Sequence, residues 1–292
     1  MKSSRPVLVL LLCMLCCSAW ADTVLVIKPR ETELTRAFVA ALQEQSATPL
    51  LVQQLEDEPD TRSATYIVTM GREALQWRLQ QDSSTHTVAT YITLDQLGPA
   101  PQHPAFVQVL LVSSKPERQL QLAQLLIPRL KTAGILYSNQ QQWQVSLWQR
   151  AAQRSGLKMQ FQVVVLEQEL LRSLSSVLNS SDVLIGIDDP QIYNANTLKP
   201  LLLSSYNRNR VLIGPSAPFV AAGSIGTTYS SPQDTAASVQ LLMQEDWQPG
   251  AIRYPQFFRV LSNAQVARSL GLPPPDDILL QQQIQIMEQT SP

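Results

Sequence analysis

Acyl-transfer chemistry needs a nucleophile, a base and an acid that orients the base, all converging on one site. The chain has only two histidines to act as the base. His86 stands beside an expected strand, and His103 lies in the loop Pro101-Gln102-His103-Pro104, so both read as solvated surface residues. The serine in Gly214-Pro215-Ser216 follows an apolar run but lacks the second glycine of a nucleophile elbow, and its proline hampers the tight strand-to-helix turn. That triplet reads as a binding loop. The strongest acidic pair, Asp188-Asp189, directly follows the apolar run 183–187. Two carboxylates with no histidine or cysteine beside them make a weak metal site. Their competing role is to cap the next helix, with Pro190 at its first position. There is no G-x-G-x-x-G or Walker loop to cradle a nucleotide. The residue set therefore points to no catalytic residues, no metal and no cofactor, and binding without catalysis is the reading that remains.

The N-terminus reads as a secretory signal peptide. Lys2 and Arg5 precede an apolar run over 7–17, and Ala19-Trp20-Ala21 supplies the small residues before a cleavage site expected after Ala21. The run falls short of the roughly 20 apolar residues needed to span a bilayer. Met14-Leu15 ahead of Cys16 and Cys17 is not the small pair that precedes a lipidated cysteine. Cleavage would remove all three cysteines, leaving a disulfide-free chain in the periplasm, whose stability rests on ordinary cores. With 22 basic and 23 acidic side chains overall, two of the basic ones in the leader, no basic stripe is left to neutralise phosphates, which excludes nucleic acid as the expected partner. The length exceeds what one core serves efficiently, so two compact units are expected.

Those units must be α/β, because short apolar β-rich runs alternate with segments of helical period. Strands are expected at 23–28, 50–53, 65–69, 87–93 and 106–112, then at 133–137, 158–166, 182–187, 210–214, 224–229 and 256–261. Helices fall between them. One over 31–45 carries the stripe Leu34, Ala37, Phe38, Ala41 and Leu42, and one from Gly71 carries Ala74, Leu75 and Leu79. Others carry Trp148 with Ala151 and Ala152, or span 168–178 and 191–206, and Ser231-Pro232-Gln233-Asp234 has the chemistry of a helix start. Trp143 and Trp148 are expected to pack. Residues 263–270 and the glutamine-rich 276–289 read as a short helix followed by a surface helix or loose tail.

In open parallel sheets, ligands sit beyond the C-terminal strand ends. This rule selects Lys28, Arg30, Thr69, Gly71, Thr93, Asp95, Ser113, Ser114 and Lys115 in the first half. In the second half it selects Tyr137, Ser138, Asn139, Asp188, Asp189, Tyr193, Ser216, Phe219 and Tyr229. Mixed hydroxyls, aromatic rings and a few charges suit a small organic solute. Competing structural roles are capping for Ser113 and Ser138, core packing for Tyr193, and close helix packing for Gly71.

The stretches Asp182-Val183-Leu184-Ile185-Gly186-Ile187-Asp188-Asp189-Pro190, Val211-Leu212-Ile213-Gly214-Pro215-Ser216 with Phe219 to Gly223, Tyr229-Ser230-Ser231-Pro232, the closing 263–273 and Thr69-Met70-Gly71 resemble the substrate-binding proteins of ABC-type transporters with the type I periplasmic fold, closest to the branch that binds aromatic amino acids. The resemblance implies two Rossmann-like lobes with parallel sheets, joined at a hinge. Lobe 1 would comprise 22–115 with 232–250 returning to it, and lobe 2 would comprise 116–231 with 254–262 returning, followed by a tail at 263–292. It implies a non-enzymatic, monomeric receptor that traps a small molecule by hinge closure, with Asp188, Ser216 and Phe219 in lobe-two loops, and an ABC permease as partner. The alternative is a ligand-sensing or interaction module of the same fold, working with an outer-membrane receptor or sensor. Many such proteins have a Thr-Gly turn where this chain has Ser113-Ser114-Lys115-Pro116, which counts against an amino-acid guest.

Overall fold

The computed structural model describes residues 23–99 and 102–290, and the leader with its expected cleavage site lies outside them. The first sheet contains β1 (Val24–Lys28), β2 (Leu50–Gln54), β3 (Tyr66–Met70), β4 (His86–Ile92) and β5 (Val107–Leu111). The second contains β6 (Thr132–Ser138), β7 (Lys158–Val164), β8 (Val183–Ile185), β9 (Val211–Ile213) and β10 (Gly226–Tyr229). Late in the chain, β11 (Ile252–Arg253) returns to the first sheet and β12 (Arg259–Ser262) to the second. The orders are β11-β5-β4-β3-β1-β2 and β12-β10-β9-β8-β6-β7, so the two lobes repeat one topology. Every pairing is parallel except that of β10 with β12. Parallel strands are covered on both faces, which explains why their central runs are apolar without alternation. The chain is thus an α/β protein of two Rossmann-like lobes.

The helices are α1 (Glu33–Gln45), α2 (Gly71–Leu79), α3 (Leu94–Leu97), α4 (Pro116–Leu126), α5 (Gln144–Arg154), α6 (Leu170–Ser180), α7 (Ala195–Tyr206), α8 (Ala217–Ala222), α9 (Pro232–Gln244), α10 (Ala264–Ser269) and α11 (Asp277–Thr290). Local chemistry sets their starts. Thr32 and Thr35 exchange side-chain to backbone bonds at the head of α1. Ser231 and Asp234 do the same at α9, with Pro232 at the first helical position. After β8, by contrast, the helix begins at Ala195 with Asn194 as its cap. Asp189 and Pro190 precede it in a turn, so neither carboxylate caps an α-helix.

Several details refine or depart from the sequence reading. On α1, Phe38, Ala41 and Leu42 are buried but Leu34 is exposed, its expected place in the stripe being taken by buried Thr35. On α2, Leu79 is exposed and Arg78 is fully buried. The tail takes the surface-helix alternative, and Leu280 and Ile284 of α11 anchor it in the lobe 2 core. His86 is not a solvated side chain either, since it stacks on Trp247 with ring centroids 4.1 Å apart, while His103 has a buried, unpartnered Nε2.

The chain crosses between lobes three times, after β5, between β10 and α9, and between β11 and β12. These crossings are stitched together. Ser114 donates to the carbonyl of Thr228, and Ser230 Oγ donates to the carbonyl of Phe257 at 2.7 Å. Arg259 Nε reaches Asp234 Oδ2 at 2.7 Å.

Candidate binding site between the lobes

In this strand order each sheet reverses direction next to its first strand, and in the second lobe that switch point lies between β6 and β8. The loops leaving these strands meet there. Ser138 N donates to Asp189 Oδ2 at 2.6 Å, and Gln191 N donates to Asp189 Oδ1 at 3.2 Å, so Asp189 is a buried brace between two loops. Burial raises its pKa against these hydrogen bonds. Tyr193 is likewise structural. Its hydroxyl donates to the carbonyls of Leu136 at 3.1 Å and Ile185 at 3.2 Å, and its ring is in the core. Both residues therefore leave the candidate ligand shell, because their polar atoms are spent within lobe 2.

Asp188 is placed differently. Its backbone carbonyl accepts from Gln144 Nε2 at 2.9 Å, which fixes the loop, while its carboxylate faces lobe 1. There the amide of Leu94 donates to Ser113 Oγ at 2.7 Å and more weakly to Asp188 Oδ2 at 3.4 Å. Among the described residues no lysine, arginine or histidine pairs with Asp188. Burial pushes its carboxyl up to about 6, opposed by the Ser113 hydroxyl and reinforced by the negative charge of Asp95. A half-buried carboxylate in an interlobe contact without a counter-charge is an unusual arrangement, because poorly solvated charges are normally paired.

Gln144 and Trp148 of α5 flank this point. Gln144 Oε1 and Trp148 Nε1 are buried with no hydrogen-bond partner, one an acceptor and the other a donor. Together with Leu94, Gly186, Asp188 and Pro215 they enclose about 10 Å³, room for about one water in the present lobe arrangement. Trp143, just before this helix, and Leu147 on it pack on the lobe 1 cluster around Leu94, so the lobes touch here. Widening the space therefore requires the lobes to part.

Gly186 permits the close approach of the two lobe 2 loops. A Cβ at that position would lie 2.5 Å from Pro215 Cδ and 3.0 Å from Pro215 N. Gly186→Ala is expected to push the Pro215 loop away and cost about 1–3 kcal/mol, as overpacking does, which a thermal melt measures. An unchanged melting temperature would show that the loop yields freely.

The remaining candidates are dispersed. Thr69 is fully buried with an unpaired hydroxyl and so is not presented to any solute. Gly71 has φ +82° with nothing near its Cβ position, so backbone conformation requires the glycine there and close helix packing does not. Thr93 precedes α3, and its N–H donates to Gln96 Oε1 at 3.2 Å. Ser113 belongs to the interlobe contact, and Ser114 is used in stitching the crossings. Ser138 is buried, and its amide holds Asp189. Tyr137 and Phe219 are half-buried against the lobe 2 core. Ser216 heads α8 without a side-chain cap bond. Tyr229 ends β10 beside Arg259, half-buried. The geometry thus brings together Ser113, Asp188 and the Leu94 amide next to Thr93, and adds Gln144 and Trp148, which the strand-end rule passed over because they sit on a helix.

The duplicated topology, the three crossings and a contact at the switch point place the architecture. The chain has the type I periplasmic-binding-protein fold. It is similar to the ligand-free, open structure of a substrate-binding protein with adhesive properties from Clostridium difficile, at 15% identity and TM-score 0.67, over 87% of this chain and 96% of that one. A domain from Streptococcus pneumoniae solved in complex with L-Trp matches at 15% identity and TM-score 0.55, over 89% and 98%. A conserved domain protein from Vibrio cholerae matches at 16% identity and TM-score 0.54, over the same two shares. No family model matches the chain, and no curated protein is significantly similar to it. At these identities the likeness establishes the fold.

Proposed function

We propose that this chain is an exported solute receptor of the periplasm that holds a small organic cation between its lobes, with Asp188 as the counter-charge, and delivers it to an ABC permease. The observation that carries the reading is the Asp188 carboxylate, which lies at the interlobe switch point and has no basic side chain to meet it among the described residues. An ammonium group entering there would supply the missing charge. Gln144 Oε1 would accept from a second donor, and Trp148 Nε1 would meet an acceptor on the guest. The apolar walls from Leu94, Ile187 and Pro215 suit a guest with a hydrocarbon or aromatic body. The structure bound to L-Trp shows that a protein of this fold accepts a guest with an ammonium group and an aromatic ring. Export and the permease follow the leader and the sequence resemblance.

The test is a thermal-shift screen of the mature protein against primary amines, quaternary ammonium compounds, neutral amides and sugars, and carboxylates, followed by calorimetry on any hit. Cationic compounds alone are expected to raise the melting temperature, by an amount that grows with concentration as mass action requires. A response confined to neutral or anionic compounds would overturn the assignment of Asp188, and no response to any class would overturn the receptor reading.

A further inference from the structure

The interlobe site holds more negative charge than one cation answers. Asp95 directly follows Leu94, whose amide contacts Asp188, so lobe 1 brings a second carboxylate to the same contact. Asp95 is half-buried in α3, and among the described residues its side chain has neither a hydrogen bond nor an ion pair. After burial itself, the charge of Asp95 is what raises the pKa of both Asp188 and Asp189. The two lysines among the strand-end candidates are spent elsewhere, Lys28 on Glu31 and Lys115 on Glu288. The three carboxylates are not equivalent. Both oxygens of Asp189 accept backbone amides within lobe 2, so Asp188 and Asp95 are left to meet a guest. They belong to opposite lobes, one after β8 and the other after β4. Like charges brought together at such a contact repel, and parting the lobes relieves the repulsion. A single cation neutralises one of them, whereas a guest with two cationic groups neutralises both and ties lobe 1 to lobe 2.

The receiving groups suit ammonium ends better than a metal ion. Gln144 is 1% exposed, and its Nε2 donates to Gln141 Oε1 and to the Asp188 carbonyl, both at 2.9 Å. That leaves Oε1, buried and unpartnered in a residue lining the enclosed space, as a free acceptor. An ammonium group has three N–H donors, for which the Asp188 carboxylate and Gln144 Oε1 are acceptors. A calcium or magnesium ion would need about six oxygens, and among the described residues no three acidic, histidine or cysteine side chains are grouped to hold a metal. Leu94, Ile187 and Pro215 line the space with apolar surface, which suits methylene groups joining two ammonium ends.

We propose that the guest carries two ammonium groups on a hydrocarbon spacer, one meeting Asp188 on lobe 2 and the other Asp95 on lobe 1, an inference that rests on the assignment of Asp188 as a counter-charge. Calorimetry on the mature parent and on Asp95→Asn tests it. The probes are the α,ω-diamines of propane, butane, pentane and hexane, each compared with the primary monoamine of the same length. In the parent, the diamine whose spacer matches the site should bind about tenfold or more tightly than its monoamine, beyond the doubling that two equivalent ends give by counting. In Asp95→Asn that advantage should shrink to the doubling, because Asp188 alone is left to meet a cation. Monoamines that bind while no diamine exceeds the doubling would overturn the second ammonium site and leave the single-cation reading standing. A full diamine advantage in a folded Asp95→Asn protein would overturn the role of Asp95. If no amine of either kind binds, both readings fall. If Asp95→Asn does not fold, the ratio in the parent decides alone.

Discussion

At pH 7 the Asp188→Asn protein is expected to melt about 5 °C above the parent and to lose about a hundredfold in affinity for organic cations. Both effects have one cause. Burial and the neighbouring charge of Asp95 push the Asp188 carboxyl up to about 6 from an ordinary value of 3.8. Keeping it ionised at neutral pH therefore costs about 3 kcal/mol in the empty receptor. The unfolded chain releases this proton near pH 4, while the folded chain retains it to about 6. The folded state thus binds more protons between those values, and the contribution of this group to stability falls as pH rises from about 4 to about 6, then levels off. Asparagine keeps the shape and removes the titration, so the variant should lack that fall. On the proposed function the cost has a counterpart, because the same uncompensated charge would give an entering cation its binding energy. Cation affinity in the parent should accordingly weaken as pH drops through 6. Melting temperatures of the two proteins across pH 4 to 8, with calorimetry on a cationic hit, check both halves. Parallel stability profiles would show that Asp188 is solvated in the native state.

The architecture was readable because parallel α/β lobes write themselves as alternating runs: buried strands such as Val24–Lys28 and Val183–Ile185 are apolar throughout, and capped helix starts such as Ser231 to Asp234 are local chemistry. The two-residue β11 escaped because Ile252 and Arg253 carry no period, and only the neighbouring β5 makes them a strand. The site was readable in part for a similar reason. Strand ends can be counted from sequence, which put Ser113 and Asp188 among the candidates, and the structure brings these two into one interlobe contact. The burial of the Gln144 side chain depends on the docking of α5 between the lobes, and its polar character hides that placement from any hydropathy pattern. Tyr193 and Asp189 sit at the correct end of the correct strand, and only tertiary hydrogen bonds reveal that both are turned into lobe 2. The bulge in β4, where Tyr91 adopts φ +58° and the register shifts before Ile92, is equally silent in sequence because nothing at that position favours the left-handed region.

Arg78→Ala is expected to lower the melting temperature by about 10 °C, from a loss of about 3–5 kcal/mol. The helical stripe on α2 runs through Ala74 and Leu75, and its next inward position falls on Arg78 and not on the exposed Leu79. The side chain is fully buried, with no acidic partner among the described residues. It is held by backbone and hydroxyl acceptors instead. Nε donates to Thr87 Oγ1 at 3.0 Å, and NH2 donates to the carbonyls of Ser83 at 2.9 Å and Thr85 at 3.0 Å. The guanidinium lies 4.6 Å from the ring centroid of Phe106. Burial lowers its pKa, and arginine stays protonated in proteins. The cation therefore organises the 81–87 turn that feeds β4, the strand whose far end carries Thr93 and the Leu94 amide of the interlobe site. Alanine leaves the Ser83 carbonyl without its arginine donor, while that of Thr85 keeps only Thr87 Oγ1 at 2.9 Å, and opens a cavity where the guanidinium was. Arg78→Met should fall between alanine and the parent, because it restores apolar volume but not the donors, and Arg78→Lys should recover only part of the loss, because an ammonium cannot span three acceptors in the planar fork geometry. Thermal unfolding of the three variants measures this order. Equal melting temperatures for alanine and methionine would assign the whole effect to the donors, and a shift under about 2 °C for alanine would show that the turn rehydrates and that β4 does not depend on it.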